Sequence, residues 1–152
     1  MAQHSVRFTE HFNAPRTKVF PYFAQHETFG AMAGGPVAAK LKFIRRIRLG
    51  ESLKHPDGVG SVRRIGYGPL GFEETVRSSE PGKLIEYFIS KGSPLKNHLG
   101  RIEFHDDAGG TRVDYVIHFD TKLPGTGPLL KGVLHAMISP AFARIRKALA
   151  SS

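Results

Sequence analysis

Residues 60–78 read GSVRRIGYGPLGFEETVRS, in which two alternating segments flank a central Gly-Pro dipeptide. If that dipeptide forms a two-residue turn, the flanking strands pair so that Ile65 faces Phe72 and Arg63 faces Glu74. Side chains at alternate strand positions share a face of the sheet. The stretch therefore predicts an antiparallel hairpin whose inner, apolar face also carries an arginine directly opposite a glutamate.

The same register places Tyr67 opposite Leu70 and turns the tyrosine inward with Ile65 and Phe72. An ion pair on a buried face is costly to desolvate unless both partners are satisfied by further contacts. Two interpretations of the pair stay open at this point. Either the two charged groups line a polar pocket, or they lie near the end of the sheet and reach water.

Outward from the hairpin, the chain predicts further strands on both sides and helices near its two ends. Two short helical segments follow the first strand, and the second of them stops at Ala33-Gly34-Gly35-Pro36. A long helix begins at Gly127-Pro128. This segregation of strands and helices indicates an α+β domain with helices against one face of an antiparallel sheet. The predicted strands cover residues 5–12, 41–49, 60–67, 70–78, 83–90, 97–105 and 111–122.

Alternation in the later strands adds polar side chains to the predicted inner face. Tyr87, His98 and Tyr115 share the parity of apolar neighbours in their strands. Buried tyrosines need partners for their hydroxyl groups, and a single inward histidine is more often a hydrogen-bonded core residue than a catalyst. Together with Arg63 and Glu74, these groups give an interior that is too polar for a plain core. Convergent polar groups on apolar walls are typical of a ligand pocket.

Composition limits the class of protein. The chain has 152 residues, 40% of them hydrophobic and 23% charged, which is typical of one globular domain, here residues 1–152. It contains no cysteine, so disulfides and thiol catalysis are excluded. The N-terminus lacks a signal-peptide pattern, and we expect a cytoplasmic protein.

The net charge of +9 raises the question of an anionic partner. The basic residues are spread along the chain, with their densest cluster at residues 40–48, and no RNA-binding aromatic motif accompanies them. We therefore expect no nucleic-acid partner. A transient contact with an anionic membrane fits the same charge balance.

Motif searches leave little room for cofactor or metal chemistry. The eight histidines show neither HxH nor HExxH spacing, which argues against a metal site. There is no GxSxG elbow, and Gly58-x-Gly60 lacks the third glycine of a dinucleotide-binding loop. We expect no metal and no cofactor.

Several of these residues carry a resemblance to a known family. The run Gly58-Val59-Gly60-Ser61-Val62-Arg63-Arg64-Ile65, together with Glu74, Leu84-Ile85-Glu86-Tyr87 and the opening Asn13-Ala14-Pro15, resembles the polyketide cyclase/dehydrase-like branch of the START/Bet v 1-like (SRPBCC) superfamily. The resemblance implies a helix-grip fold, with a curved seven-stranded antiparallel sheet around a long C-terminal helix and two short helices after the first strand. It also implies a cavity between sheet and helix.

The alternation and the resemblance together give a set of cavity residues. From the sheet they are Arg63, Ile65, Tyr67, Phe72, Glu74, Tyr87, Ile89, His98, Ile102, Phe104 and Tyr115. From the C-terminal helix they are Leu130, Leu134, Met137, Ile138 and Ala141.

Three functions remain open on this reading. The first is binding of a hydrophobic or amphipathic small molecule, such as a lipid, quinone or polyketide-like compound, by a monomer or weak dimer. The second is a cyclase- or dehydratase-type enzyme, in which His98 or Glu74 transfers a proton and Arg63 or a tyrosine stabilises an enolate. The third is a protein-interaction module that uses the outer face of the sheet. No residue is assigned as catalytic, and the candidates are His98, Glu74 and Arg63.

Overall fold

The computed structural model describes residues 3–152, within which one sheet of seven strands packs against helices. The strands are β1 (His4–Phe12), β2 (Ile44–Arg48), β3 (Val62–Ile65), β4 (Phe72–Glu80), β5 (Leu84–Lys91), β6 (Leu95–Asp107) and β7 (Gly110–Thr121). The helices are α1 (Arg16–Ala24), α2 (His26–Lys40) and α3 (Gly127–Ala150).

The sheet is antiparallel throughout, in the order β1-β7-β6-β5-β4-β3-β2. The long α3 buries Ile138, Ala141, Phe142 and Ile145. These four positions recur at helical spacing, so one stripe of the helix enters the core. The predicted α+β helix-grip fold is confirmed.

The hairpin that anchors the prediction forms with the expected register. Arg63 pairs with Glu74 and Ile65 with Phe72. The connection, however, is longer than a two-residue turn. The backbone at Gly66 has a φ of 82°, in the left-handed region that favours glycine, and a short 3-10 turn follows it at Gly68–Leu70.

This longer connection corrects the placement of Tyr67. Because the left-handed Gly66 ends β3 after Ile65, Tyr67 no longer follows the strand alternation. Its side chain is 50% exposed. The prediction that Tyr67 lines the cavity is therefore wrong.

The second helix also differs from its prediction. It does not stop after Met32 but continues past Gly35, whose φ of 81° breaks the helical geometry, and resumes with Pro36 near the start of its second part. Arg144 on α3 donates hydrogen bonds to the carbonyl oxygens of Met32 and Ala33, at 2.8 and 3.0 Å. A side chain from the neighbouring helix thus occupies the backbone acceptors beside the kink.

The core lies between the sheet and the helices. Alternate positions of β7 are buried, as its sequence predicts, and aromatic rings from β1, α1, α2, β6 and α3 fill the space beneath them. The ring centroids of Phe23 and Phe104, for instance, are 5.5 Å apart. Within residues 3–152, none of the helices combines the length and the apolar character that a membrane span requires.

Candidate functional site

A buried ion pair stands at the centre of the inner sheet face. Arg63 on β3 and Glu74 on β4 are directly opposite, and both Nε and Nη2 of the arginine donate to Oε2 of the glutamate, at 2.7 and 2.6 Å. Arg63 is only 6% exposed and Glu74 only 7%. Burial opposes the charge on Arg63, but the Glu74 carboxylate outweighs it and raises the pKa of the guanidinium above its ordinary value. Arg63 therefore stays charged at neutral pH.

Two tyrosines extend this polar centre. The hydroxyl groups of Tyr87 on β5 and Tyr115 on β7 share a hydrogen bond, and the guanidinium carbon of Arg63 lies 4.6 Å from the ring centroid of Tyr87. Burial raises the pKa of both phenols, so both stay protonated at neutral pH. The arginine is thus held by a carboxylate and by the face of an aromatic ring.

His98 on β6 completes the group. Its ring centroid lies 5.5 Å from that of Tyr87, and its Nδ1 atom has no hydrogen-bond partner among the described residues. Burial lowers the pKa of the imidazole, the Glu74 carboxylate opposes that change, and the Arg63 charge adds to it. A neutral histidine with a free ring nitrogen can accept or donate a hydrogen bond, or take up a proton.

These side chains surround a small cavity of about 50 Å³ between the sheet and α3. That volume holds a few water molecules, whereas ligand pockets usually measure roughly 300–1,000 Å³. Of the predicted cavity residues, those that line it are Arg63, Ile65, Phe72, Glu74, Tyr87, His98, Tyr115, Leu134, Met137 and Ile138.

The other predicted residues lie elsewhere. Ile102, Phe104 and Ala141 are buried in the core outside the cavity wall, and Ile89 and Leu130 pack against that core. Phe104 is covered by α1, since its ring centroid lies 5.1 Å from that of Phe20. Inward parity alone therefore does not separate core residues from cavity residues.

Four residues that line the cavity were not predicted from the sequence. Ile117 follows the same β7 alternation as Tyr115 and was identifiable from it. Ile44 belongs to a short edge strand, and Phe29 and Ala33 lie on α2, whose docking the sequence does not specify. Within residues 3–152, no group of three His, Asp or Glu side chains is arranged to hold a metal ion.

A second buried polar contact joins α2 to the sheet beside the ion pair. His26 Nε2 and Ser61 Oγ share a hydrogen bond of 2.8 Å, and both residues are buried. The backbone N–H of His26 donates to Asp57 Oδ2 at 3.0 Å, which places a carboxylate at the N-terminus of α2. Burial, reinforced by the Arg63 charge, lowers the pKa of His26 to about 3.

We expect mild acid to destabilise the protein through His26. Its pKa is about 3 in the folded state and 6.5 as an unperturbed group, so only the unfolded chain takes up the proton between these values. The full free energy of unfolding is present above pH 6.5 and falls by at most about 1.4 kcal/mol per pH unit as the pH drops towards 3. Urea denaturation at several pH values measures this slope. His26→Gln keeps a polar partner for Ser61 without titrating, and an unchanged slope in that variant would contradict the assignment.

A larger groove, of about 600 Å³, lies at the opposite end of the sheet from the β3–β4 turn. Phe20 and Pro21 of α1, Pro56 of the β2–β3 loop and Pro81 of the β4–β5 turn contribute to its walls. Asp57, which also lines this groove, is ion-paired with Arg46 at 2.7 Å. The buried charges of the inner sheet face do not reach it.

An antiparallel sheet that grips a long C-terminal helix over buried polar groups defines the helix-grip class of the START/Bet v 1-like superfamily. Within it, the chain belongs to the polyketide cyclase / dehydrase and lipid transport family, whose model matches residues 3–151. No curated protein is similar enough in sequence to be matched.

Solved structures share the architecture at low sequence identity. Ara h 8.0201 superposes with a TM-score of 0.68 at 16% identity, over 98% of this chain and 99% of that one. Protein Ms6760 from Mycobacterium smegmatis gives 0.65 at 17% identity, over 97% and 91%. DynU16, from the dynemicin biosynthetic locus, gives 0.61 at 13% identity, over 96% of this chain and 47% of its own. At such identities the likeness establishes the fold alone; family and fold together indicate a hydrophobic-ligand-binding or polyketide cyclase-like role.

Proposed function

We propose that this protein binds a hydrophobic or amphipathic small molecule, such as a lipid, quinone or polyketide-like compound, between the sheet and α3. The observation that carries the proposal is the Arg63–Glu74 salt bridge, buried beside a cavity with otherwise largely apolar walls. A packed core gains little from such a pair, because apolar residues of similar volume are usually at least as stable. A binding site gains a fixed cation that can orient a ligand.

Each polar group has a distinct role in this proposal. Arg63, held in place by Glu74, orients a carboxylate or carbonyl group of the ligand. The free Nδ1 of His98 supplies a further hydrogen bond. Apolar burial then supplies most of the affinity, at roughly 25 cal/mol per Å² before the cost of ordering.

Binding requires the cavity to grow, since about 50 Å³ is too small for such a molecule. The wall formed by α2 and α3 is the part suited to move. Met137 is 36% exposed and has a flexible, unbranched side chain that adapts to irregular spaces. Gly35 interrupts α2 near Ala33, another wall residue. We expect Met137 and the adjoining turns of α2 to shift outward when the ligand enters.

A cyclase or dehydratase is the second candidate, and the state of His98 favours it. A neutral, buried imidazole with an unpartnered nitrogen can act as a general base beside a bound carbonyl compound. It would remove a proton from the carbon next to the carbonyl, and Arg63 or the Tyr115 hydroxyl would stabilise the resulting enolate. With Glu74 engaged by Arg63, His98 is the better base of the two.

Native mass spectrometry of the gently purified protein, followed by denaturing extraction, tests the binding function. We expect a co-purifying apolar compound at up to one per chain, or binding of an apolar fluorescent probe. Met137→Trp, which fills the cavity wall, should weaken probe binding about tenfold or more. Val133→Trp, one turn earlier on α3 and outside the wall, is the matched control and should leave binding unchanged.

An empty protein that binds no apolar probe would refute the carrier function. To separate carrier from enzyme, His98→Gln is compared with wild type on an identified ligand. Loss of turnover with retained affinity would establish the catalytic alternative.

We further propose that the protein is a single-domain, cytoplasmic monomer or weak dimer that needs no cofactor, metal or nucleic acid. The proposal also includes transient contact with an anionic membrane.

A further inference from the structure

Large apolar side chains are exposed together at one corner of the molecule. At the C-terminal end of α2, Val37 is 72% exposed and Leu41 60%. The β3–β4 turn presents Tyr67 and Leu70, the latter 93% exposed, and Phe43 lies between the two groups at 37%. We name these five residues the apolar corner. Single exposed apolar residues are ordinary, but a contiguous set marks an interaction surface.

Backbone hydrogen bonds and one ring contact link members of the apolar corner. Val37 and Leu41 lie one helical turn apart, and the N–H of Leu41 donates to the carbonyl oxygen of Val37 at 3.0 Å. The ring centroids of Phe43 and Tyr67 are 6.1 Å apart in an edge-to-face arrangement. The backbone N–H of Phe43 also donates to the carbonyl oxygen of Ala38 at 3.0 Å, so Phe43 connects α2 to Tyr67 in the turn.

Basic side chains surround this surface. The guanidinium carbon of Arg45 lies 5.3 Å from the ring centroid of Tyr67, and Arg64 donates to the carbonyl oxygen of Gly68 in the turn at 2.8 Å. The cations at or beside the apolar corner are Lys40, Lys42, Arg45, Arg64 and Lys91.

The nearby carboxylates do not cancel this positive charge. Among the described residues, Glu73 forms ion pairs with Arg64 and Lys91, at 3.3 and 4.0 Å. Glu27 lies 3.9 Å from Lys42. Five cations thus face two carboxylates, which leaves the corner with a net positive charge.

The apolar corner also adjoins the cavity. Phe43 precedes Ile44, Tyr67 follows Ile65 across one glycine, and Phe72 comes two residues after Leu70. Ile44, Ile65 and Phe72 all line the cavity wall. The apolar corner therefore begins next to the part of the cavity wall that these three residues form.

We propose that the apolar corner docks on an anionic phospholipid bilayer, with Leu70 and Leu41 below the headgroups and the basic rim on the lipid phosphates. Apolar and aromatic side chains ringed by lysine and arginine are the composition of interfacial membrane anchors. A second copy of the chain is disfavoured as the occupant, because it would present the same positive rim. The inference extends the proposed function, since it names the surface through which an apolar ligand would enter or leave.

Vesicle co-sedimentation tests the apolar part of this surface. We expect binding to vesicles with roughly 30% phosphatidylglycerol in phosphatidylcholine, and little binding to phosphatidylcholine alone. Leu41→Asp with Leu70→Asp should lower the vesicle affinity by about tenfold or more. Leu53→Asp is the matched control, since Leu53 is 88% exposed in the β2–β3 loop, beside the groove at the other end of the sheet. It should bind as wild type does.

Charge variants test the basic rim. Lys40→Gln with Lys91→Gln should weaken binding about fivefold per lysine and reduce its dependence on salt. Lys18→Gln with Lys83→Gln removes two exposed lysines elsewhere and should have little effect. Thermal melts near that of wild type confirm that the variants fold.

Several results would overturn the docking surface. One is equal binding of the wild type to neutral and to anionic vesicles. Another is a loss of vesicle affinity with Leu53→Asp as large as that of the Leu41→Asp, Leu70→Asp double variant. A third is wild-type vesicle affinity in that double variant. A wild-type dimer in sedimentation that Leu70→Asp dissociates would assign the corner to self-association instead. Met137→Trp distinguishes the two proposals, because it should lose the apolar probe but keep vesicle binding. Probe binding without vesicle binding would leave the ligand-binding function intact and remove the docking surface.

Discussion

Arg63→Ala is expected to lower the free energy of unfolding by about 3–5 kcal/mol. The loss comes from Glu74, which is 7% exposed and would stay buried without the two hydrogen bonds that now satisfy Oε2. The Tyr87 ring also loses the guanidinium that lies 4.6 Å from its centroid. Denaturation in urea at pH 7.5, where His26 and His98 are neutral, measures the change without interference from histidine titration.

Arg64 provides the matched control, because it is the next residue on the strand and faces the other side of the sheet. Its pair with Glu73, at 3.3 Å, is about one fifth exposed on each side chain. Arg64→Ala should therefore cost at most about 1 kcal/mol. The double variant Arg63→Met, Glu74→Leu should recover most of the stability, since no charge is then left buried. A loss below about 0.5 kcal/mol for Arg63→Ala would mean that the pair does not anchor the site.

The pairing of Arg63 with Glu74 was predictable because register in a hairpin follows from alternation. Pairing Ile65 directly with Phe72 on the buried face places Arg63 opposite Glu74, two positions further along each strand. The inward parity of Tyr87, His98 and Tyr115 follows from the same rule within each strand. The alternation of side chains along a strand is retained in the folded protein, because a sheet keeps successive side chains on opposite faces.

Contacts between distant elements were not predictable in the same way. The hydrogen bond between Tyr87 and Tyr115 spans two strands with β6 between them, and the one between His26 and Ser61 depends on how α2 docks. Tyr67 was misplaced because a left-handed glycine removed it from the alternation. The cavity volume depends on how tightly α2 and α3 close over the sheet, which no local pattern encodes.

Gly100→Ala is expected to destabilise the protein by about 3 kcal/mol, at the upper end of the usual cost of overpacking. Gly100 on β6 is directly opposite Tyr87 on β5, and the tyrosine ring lies across the space where a side chain would stand. A Cβ added at Gly100 would overlap three atoms of that ring. The neighbours of the ring leave it little room to move, since Arg63 lies over its face and Tyr115 holds its hydroxyl group.

A double-mutant cycle with Tyr87→Ala isolates this steric effect, measured by urea denaturation. If the clash with the ring is the cause, Gly100→Ala should cost far less in the Tyr87→Ala background than in wild type. Gly132→Ala on α3 is the matched control, because no atom lies within 4 Å of its added Cβ, and it should stabilise the helix by up to about 1 kcal/mol. Additive losses in the cycle would show that Gly100 does not position the ring. A strong coupling would show that the missing side chain at Gly100 leaves the space in which Tyr87 covers Arg63 and hydrogen-bonds to Tyr115. A residue without a side chain would thus shape the polar wall of the cavity.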